Sequence, residues 1–295
     1  MNILITGATG YIGSNLIQRL QADSKYHIVA GARNTERAVQ MYGDKQRVAV
    51  KKLDVLDPET LDQALEQVDI AYYLVHLLQR DDFSALESKA ARNFTKAAEK
   101  HNVKRIIYLS GLGSDDEDLS DHIKSRHEVG EILRNSSIPC ITFRASIILG
   151  KGGLSYELLR NLASKLPVML LPKWCTTLTQ PIALPDVLRY LIAAQKTAID
   201  RSPVVPIGGP ETMTYVEMIR KTAALINKRP FLITTPFISA HLSAKWLDLF
   251  TPGQAKVGKH MVDSLKHKMV VNSLAAKELF PEIIPEPPFR HLEAS

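Results

Sequence analysis

Cysteine is scarce in this chain of 295 residues. Only Cys140 and Cys175 are present, and two thiols cannot build the dense disulfide framework of small secreted folds. No group of cysteine and histidine residues has the spacing of zinc ligands, so we expect no metal site. The sequence therefore excludes disulfide-rich scaffolds and zinc-finger folds.

Long apolar runs are also missing. The longest, such as the four residues 168–171, are far shorter than the roughly 20 residues that span a bilayer. The chain enters a strand-like segment at Asn2, without a charged region or a cleavage site of small residues, which argues against a secretory signal. Hydrophobic residues make up 45% and charged residues 23%, which excludes disordered and fibrous proteins. We expect a cytoplasmic protein without a transmembrane segment.

The net charge of +6 is distributed unevenly. Residues 1–150 carry a net charge of −1 and residues 151–295 one of +7. A basic half can face an anionic ligand, a membrane surface or nucleic acid, but its lysines are scattered, so we favour a solvated surface. The apolar face of Leu242, Trp246, Leu249 and Phe250 is interpreted as core or a subunit contact rather than a peripheral membrane helix. We expect a small-molecule substrate or redox partner, no nucleic acid, and a monomer or homodimer.

Strand-like and helix-like segments alternate through the first half of the chain. Asp57 followed by Pro58 predicts a helix start, and Ser84 with Glu87 predicts a capping box. Alternating strands and helices predict parallel pairing with right-handed crossovers. We therefore predict an α/β fold with a doubly wound parallel sheet of the Rossmann type. The predicted strands cover residues 2–6, 27–31, 47–53, 69–75, 103–109 and 139–144.

The second half is less regular. Thr214 and Glu217 form a further capping-box pattern, which predicts a helix to about residue 227. Other predicted helices cover 154–166, 186–196, 238–250 and 254–266, with a short strand over 204–207. We predict a Rossmann domain over 1–150, to which the motifs below assign NAD(P) binding, and a smaller, mostly helical substrate or partner lobe over 151–295, partly interleaved with the Rossmann core.

The strongest motif is the segment Gly7-Ala8-Thr9-Gly10-Tyr11-Ile12-Gly13. It follows a predicted strand directly and opens a predicted helix, the context of a phosphate-binding loop. Glycines permit the tight turn and the close approach of the backbone to a pyrophosphate, which then meets the amides at the helix N-terminus. A plain glycine turn is the alternative.

The end of the second predicted strand bears on the choice of dinucleotide. NAD-specific folds carry Asp or Glu there to bind the ribose 2′-hydroxyl. This chain instead has Ala32-Arg33-Asn34. Because a guanidinium can bind a 2′-phosphate bidentately, Arg33 favours NADP over NAD.

These motifs resemble those of a known family. The spacing Gly-x-x-Gly-x-x-Gly is similar to that of the extended and atypical short-chain dehydrogenase/reductases. The segments 53–55, 71–76, 107–113, 125–130, 166–169, 180–183 and 207–210 narrow the resemblance to an atypical subgroup. This subgroup includes NmrA-like proteins and the NAD(P)H-binding accessory subunit of respiratory complex I. The resemblance covers roughly residues 1–250 and is greatest to bacterial members.

The resemblance implies contacts to the cofactor along the strand ends. It implies Thr9, Tyr11 and Ile12 at the pyrophosphate, and Asp54 and Val55 beside the adenine. The positions that it implies near the central ribose, the nicotinamide and the reacting centre are Leu74, Val75, His76, Ser110 and Ser146. Core packing is the alternative for Leu74 and Val75, and turn chemistry for Ser110.

The chain departs from the family at the catalytic helix. Active members carry Tyr-x-x-x-Lys, where this chain has His122 and Arg126. Imidazole titrates near neutral pH, so His122 is a competent general acid, with His76 as the alternative proton donor. Arg126 can donate to ribose hydroxyls but cannot transfer a proton, and we expect its charge to lower the pKa of His122. Ser110 completes the predicted catalytic set.

Three functions follow from these observations. The first is an NADP(H)-dependent oxidoreductase acting on a small carbonyl compound or a quinone, where Trp174 could stack on a planar substrate or pack between the lobes. The second is a non-catalytic NAD(P)H-binding redox sensor or assembly protein, which the missing Tyr and Lys favour. A nucleotide-sugar epimerase or dehydratase ranks last, because it also needs the tyrosine.

Overall fold

The computed structural model describes residues 1–77, 82–113, 119–165, 167–235 and 264–293. The predicted helix over 238–250 lies outside these ranges, and with it Leu242, Trp246, Leu249 and Phe250. Most of the predicted helix over 254–266 lies outside them as well. In the described part of the chain, no helix combines the length and the apolar character needed to cross a membrane.

The strands that the structure describes lie mostly in the first half. They are β1 (Asn2–Thr6), β2 (His27–Ala32), β3 (Val48–Lys52), β4 (Ile70–Tyr73), β5 (Arg105–Gly111), β6 (Cys140–Ala145), β7 (Ile148–Leu149), β8 (Val168–Pro172), β9 (Leu178–Thr179), β10 (Ile182–Ala183), β11 (Val204–Ile207), β12 (Met213–Thr214) and β13 (Phe231–Thr235). All six strands predicted in the first half, and the predicted strand over 204–207, are present with ends shifted by two residues or fewer.

The helices alternate with these strands. They are α1 (Tyr11–Leu20), α2 (Thr35–Tyr42), α3 (Pro58–Leu65), α4 (Phe83–Lys100), α5 (Asp121–Arg134), α6 (Leu154–Lys165), α7 (Leu184–Ala193), α8 (Tyr215–Leu225), α9 (Ala275–Leu279) and α10 (Arg290–Glu293), with a 3₁₀ turn at Lys173–Thr176. Asp57 caps α3 by accepting from the Glu59 N–H, as predicted. The capping box of Thr214 and Glu217 is confirmed at the start of α8.

Seven strands form one parallel sheet in the order β3-β2-β1-β4-β5-β6-β11. Alternate residues of its strands belong to two apolar layers: Ile3 and Ile5 face α1, α2 and α7, whereas Leu4 faces α3 and α4. A parallel sheet that is buried on both faces is the expected product of βαβ crossovers. The doubly wound α/β fold is thus confirmed.

The second half adds a third apolar layer built from α6, β8 and α8. It also contributes β11 to the main sheet, where Val204 to Ile207 pair with β6. The segment that begins at residue 264 is hydrogen-bonded to Gln180, which follows β9. The Gln180 N–H donates to the Met269 carbonyl at 2.8 Å, and Gln180 Oε1 accepts from the Val271 N–H at 2.9 Å. This segment thereby reaches the carboxyl edge of the sheet, where the candidate site lies.

One predicted helix start is wrong. The capping box expected at Ser84 and Glu87 is absent, since α4 begins at Phe83 and Ser84 lies inside its first turn. Glu87 is instead buried and accepts hydrogen bonds from the Leu77 N–H at 3.0 Å and the Ser125 hydroxyl at 2.6 Å. Tertiary contacts with these two groups therefore replace the local cap.

Candidate functional site

The glycine-rich loop joins β1 to α1 without room for larger residues. Gly7 has a φ of +65°, and a Cβ added there would lie 2.8 Å from the Leu74 carbonyl oxygen. A Cβ on Gly13 would collide with the Gly7 carbonyl oxygen and lie 3.1 Å from the Ala8 Cα. Gly10 precedes α1 and offers no side-chain cap. The backbone of the loop and of the first helical turn therefore lines the adjoining cavity directly.

This first cavity has a volume of about 720 Å³. It lies along the carboxyl ends of β1 to β4, where doubly wound folds bind their ligands. Its mouth carries the exposed side chains of Arg33 and Arg37. The described residues that line it are Gly7, Thr9, Gly10, Tyr11, Ile12, Gly13, Gly31, Ala32, Arg33, Asn34, Arg37, Leu53, Val55, Leu74, Val75 and His76.

Most residues predicted to touch the cofactor line this cavity, with Asp54 as an exception. The Asp54 carboxylate accepts from the Leu56 N–H at 3.0 Å, while its own N–H donates to Thr60 Oγ1. Its side chain thus shapes the turn after β3 and is not among the lining residues. Arg37 was not predicted, although a second arginine only four residues after Arg33 was a usable signal.

Tyr11 connects this cavity to the second half of the chain. Its ring lies against the 150–153 turn, where a Cβ on Gly153 would come within 2.7 Å of the Tyr11 ring. Its hydroxyl is buried and has no hydrogen-bond partner among the described residues. Burial, followed by the charge of Glu157, raises the pKa of Tyr11 to about 12.

A second cavity of about 340 Å³ adjoins the first and shares Ile12, Leu74 and His76 with it. It brings together the predicted residues His76, Ser110, His122, Arg126 and Ser146 within mostly apolar walls. Its other described lining residues are Leu109, Gly111, Ile123, Ala145, Ile147, Ile148, Leu154, Ser155, Ser264, Leu265 and Met269. The last three were not predicted, because no motif marks the segment that carries them.

Arg126 forms the centre of a buried polar network. Its side chain is on α5 and the residue is only 6% exposed. One guanidinium nitrogen lies 2.7 Å from His76 Nδ1, and another donates to the Leu109 carbonyl. Since arginine can only donate, Nδ1 of His76 accepts this hydrogen bond, and the proton of the neutral ring lies on Nε2.

His76 lies between this cation and an anion. Its Nδ1 is 3.4 Å from Glu87 Oε1, and 39% of its side chain remains accessible from the cleft. Desolvation, followed by the charge of Arg126, lowers the pKa of His76 despite the opposing effect of Glu87. Burial alone would raise the pKa of Glu87, but a proton on His76, the Ser125 hydroxyl and the Leu77 N–H lower it to about 2. The site thus holds a neutral imidazole beside a carboxylate.

His122 occupies the opposite side of the second cavity. Its Nδ1 lies 3.0 Å from the Ser264 hydroxyl, which in turn is 2.8 Å from the Ser120 hydroxyl. The rings of His122 and His76 are 6.1 Å apart between centroids. The Arg126 guanidinium contacts His76, and its expected effect on the pKa of His122 stays a prediction.

Two serines predicted for the site use their hydroxyls on the backbone. Ser110 Oγ donates to the Arg126 carbonyl at 3.2 Å, and Ser146 Oγ donates to the Gln180 carbonyl at 2.5 Å. Both line the second cavity while they fix its walls. Trp174, considered for substrate stacking, does not line this cavity and packs edge-on against Tyr215 at 5.6 Å between ring centroids.

The chemistry of the first cavity fits a dinucleotide. Its loop consists of closely packed glycine backbone at a helix N-terminus, which suits a pyrophosphate. The guanidinium groups of Arg33, directly after β2, and of Arg37, on α2, suit an anionic group on the adenosine ribose. Among the described residues, no cluster of side chains could hold a metal ion.

Comparisons with known proteins agree with this geometry. The family model described as NAD(P)H-binding matches residues 7–160. A ceramide reductase from Caulobacter vibrioides is 24% identical over 242 residues, which cover 79% of this chain and 73% of that protein.

Solved structures share the fold over almost the whole chain. Triphenylmethane reductase from Citrobacter sp., in complex with NADP(H), has a TM-score of 0.78 at 18% identity and covers 99% of both chains. NADPH-dependent quinone oxidoreductase from Escherichia coli, in complex with NADPH, has a TM-score of 0.75 at 20% identity, covering 98% of this chain and 97% of that one. The resemblance inferred from the glycine spacing is confirmed, and the chain belongs to the NAD(P)H-binding family of atypical short-chain dehydrogenase/reductases.

Proposed function

We propose that this protein is an NADP(H)-dependent oxidoreductase that reduces a small carbonyl compound or a quinone. The observation that carries the proposal is the junction of the two cavities at Ile12, Leu74 and His76. A dinucleotide bound along the glycine-rich loop extends toward this junction, and a substrate in the second cavity would meet its reactive end. In this proposal residues 1–150 form the cofactor-binding domain, and residues 151–295 supply the outer wall of the substrate site.

Arg33 and Arg37 support the preference for NADP(H). Both line the first cavity, Arg33 directly after β2 and Arg37 in the first turn of α2, and the described lining residues include no carboxylate that could bind a free ribose 2′-hydroxyl. Two guanidinium groups four residues apart can bind a 2′-phosphate from both sides. The Citrobacter and Escherichia coli reductases, whose structures contain NADP(H) and NADPH, are consistent with this preference.

The reaction needs one hydride and one proton. The reduced nicotinamide, when bound, supplies the hydride to the carbonyl carbon or the quinone ring system. We assign the proton to His122, which lines the cavity and delivers it to the substrate oxygen. The products are an alcohol or a hydroquinone and the oxidised dinucleotide, and His122 is then protonated again from solvent.

The two histidines have different assigned roles. A proton on His76 would lie beside the Arg126 guanidinium, which disfavours the charged ring. His122 instead hydrogen-bonds to the neutral Ser264 hydroxyl, which can accept from a protonated imidazole. His76 therefore acts as a neutral positioning residue in this proposal, and Arg126 acts through it.

The experiment is a turnover assay with purified protein. NADPH oxidation is followed with a panel of aldehydes and quinones, for the natural chain and for His122→Phe and His76→Phe. We expect His122→Phe to lower kcat by a factor of about 100 or more, the usual contribution of general acid catalysis, and His76→Phe to lower it less. Equal rates in the natural chain and His122→Phe would contradict the assigned role.

A second candidate is a non-catalytic NAD(P)H-binding sensor or assembly protein. The observation that favours it is the position of Arg126, whose guanidinium is occupied by His76 and the Leu109 carbonyl instead of being directed to a ribose. Tight binding of NADPH without turnover of any carbonyl compound or quinone would favour this candidate over the reductase.

The cofactor preference has its own test. We expect Arg33→Asp to weaken the binding of NADPH by a factor of about 10 to 100, because a bidentate charge pair is replaced by repulsion, and to change NADH binding little. Calorimetric titration with both dinucleotides measures this difference. Arg229→Asp, an exposed substitution distant in sequence, is the matched control. Equal losses for both dinucleotides would overturn the preference for NADP(H).

A further inference from the structure

A smaller apolar cavity of about 60 Å³ lies beside the second cavity, and we call it the annex. Its walls come from α6, β8, the 3₁₀ turn and α8, and include Leu158, Leu159, Leu162, Leu171, Trp174 and Ile219. No charged side chain of the described residues lines it. The annex therefore offers contacts that suit hydrocarbon.

The annex and the second cavity meet at three shared side chains. Ile147, Ser155 and Leu265 line both cavities, so the two spaces adjoin at these residues. Ile147 follows the predicted cofactor contact Ser146, and Ser155 belongs to the first turn of α6. An elongated molecule whose polar end lies near His122 thus has an apolar space beyond it.

The size of the annex limits what it can hold. A water-sized group requires about 15 Å³ of such space, so the annex has room for a chain of about four carbon atoms. Methylene groups that fill a mostly apolar pocket of this kind make dispersion contacts with its walls.

We infer that the annex binds a short apolar tail of the substrate, so that the substrate class is a carbonyl compound or quinone with an unbranched alkyl chain of about four carbons. This inference rests on the proposed function, because the polar end of the substrate is assigned to the second cavity. The annex then selects among substrates by tail length, while the histidines act on the oxygen-bearing end.

Two substrate series test the inference. Unbranched aldehydes of two to ten carbons and 1,4-benzoquinones with alkyl tails of zero to eight carbons are assayed with saturating NADPH. We expect kcat/KM to rise about fourfold per added methylene group, the usual gain from burying one, and then to level off once the annex is filled.

Variants of the annex should shift this profile. Ile219→Trp fills the annex and should remove the gain from longer tails, whereas Leu162→Ala enlarges it and should move the plateau to longer tails. Met218→Ala is the matched control, because Met218 is fully buried on α8 beside Ile219 but does not line the annex. It should keep the natural profile while it lowers stability as Leu162→Ala does.

Direct binding separates this inference from the proposed reaction. Calorimetric titration with 1-hexanol in the presence of NADPH should show saturable binding that Ile219→Trp abolishes and Met218→Ala retains. Turnover of the short substrates without any gain from longer tails overturns the annex and leaves the reductase in place. If no substrate reacts, the proposed function fails, and an absence of saturable hexanol binding then overturns the annex independently.

Discussion

The side chain and the main chain of Arg126 both fix α5 to β5. The guanidinium reaches His76 and the Leu109 carbonyl, while the Arg126 carbonyl accepts from the Tyr108 hydroxyl at 3.0 Å and from Ser110 at 3.2 Å. Lysine presents a point charge and lacks the planar fork that serves two acceptors at once. Arginine at this position is therefore suited to holding the wall of the site.

We expect Arg126→Gln to raise the pKa of His76 toward its ordinary value, because a neighbouring positive charge is removed. The variant should also lose about 2–3 kcal/mol of unfolding free energy, since the buried Leu109 carbonyl loses a charged donor. An NMR titration of the histidine rings measures the pKa, with the exposed His27 as an internal control. An unchanged pKa of His76 would contradict the assigned contact.

Some residues of the candidate site could be predicted from local sequence patterns, and others could not. Gly7, Gly13 and Arg33 are marked by local spacing at a strand end, so their place in the first cavity could be predicted. Glu87 follows Ser84 at capping-box spacing, which led to a wrong prediction of a capping box. The hydrogen-bond partners of Glu87 come instead from other parts of the fold. Ser264 reaches His122 only through long-range packing, which no local signal reports.

Two glycines in helices of this fold differ in the space that surrounds them. Gly13 on α1 lies so close to the glycine-rich loop that a Cβ would collide with the Gly7 carbonyl. Gly130 on α5 has space, since a Cβ there would lie 3.5 Å from the Tyr108 ring and 3.6 Å from the Thr142 methyl group. The first glycine thus sets the distance between helix and loop, and the second does not.

Alanine substitution should separate these two glycines. We expect Gly13→Ala to cost about 1–3 kcal/mol of unfolding free energy, as overpacking does, and to weaken NADPH binding. Gly130→Ala should leave binding unchanged and stabilise the fold by up to about 1 kcal/mol, through helix propensity. Chemical denaturation and cofactor titration of both variants measure these effects. Comparable losses in the two variants would contradict the steric argument.

Elements of the first half were predictable because strand and helix patterns alternate with clear turn signals. The strands β7, β9, β10 and β12 were not, because they consist of only two residues each. The five-residue strands β8 and β13 were not, because they pair with each other across a long separation in the chain. Thr179, for instance, pairs both with Met213 of β12 and with Met269. Such pairings arise from tertiary packing and leave no periodicity in the sequence.

At the scale of the whole molecule, the second half is fixed to the first at several points. β11 extends the main sheet beside β6. α7 is attached to β4, because the Tyr72 hydroxyl donates to the Leu191 carbonyl at 2.9 Å. On the same helix, the buried Asp186 carboxylate accepts from the Glu286 N–H at 2.9 Å, and Arg189 donates to the Ile284 carbonyl at 3.1 Å. The described carboxyl-terminal residues therefore pack on the same helix that covers the sheet, and we expect the two halves to unfold together.

Global stability should depend on acidic pH through the buried network. Glu87 has a pKa of about 2 in the fold against 4.5 ordinarily, so its stabilising contribution is complete above pH 4.5 and is lost as the pH falls toward 2. The lowered pKa of His76 acts in the same direction below about pH 6.5, because the unfolded chain binds that proton more readily.

Denaturation at several pH values tests this dependence. The free energy of unfolding should fall between pH 4.5 and 2 by on the order of 3 kcal/mol more in the natural chain than in Glu87→Gln. Glu59→Gln, at an exposed position, should retain the natural pH dependence. A Glu87→Gln profile parallel to that of the natural chain would exclude Glu87 as the source.

The contact between Tyr11 and the 150–153 turn has a kinetic consequence. Tyr11 begins α1 and lines the first cavity, and the turn leads into Leu154 and Ser155, which line the second cavity. If a dinucleotide in the first cavity displaces α1, the Tyr11 ring moves with the helix and displaces the 150–153 turn. The wall of the second cavity that follows this turn then moves as well. For the proposed reductase we therefore expect a compulsory order, with the dinucleotide binding first and leaving last.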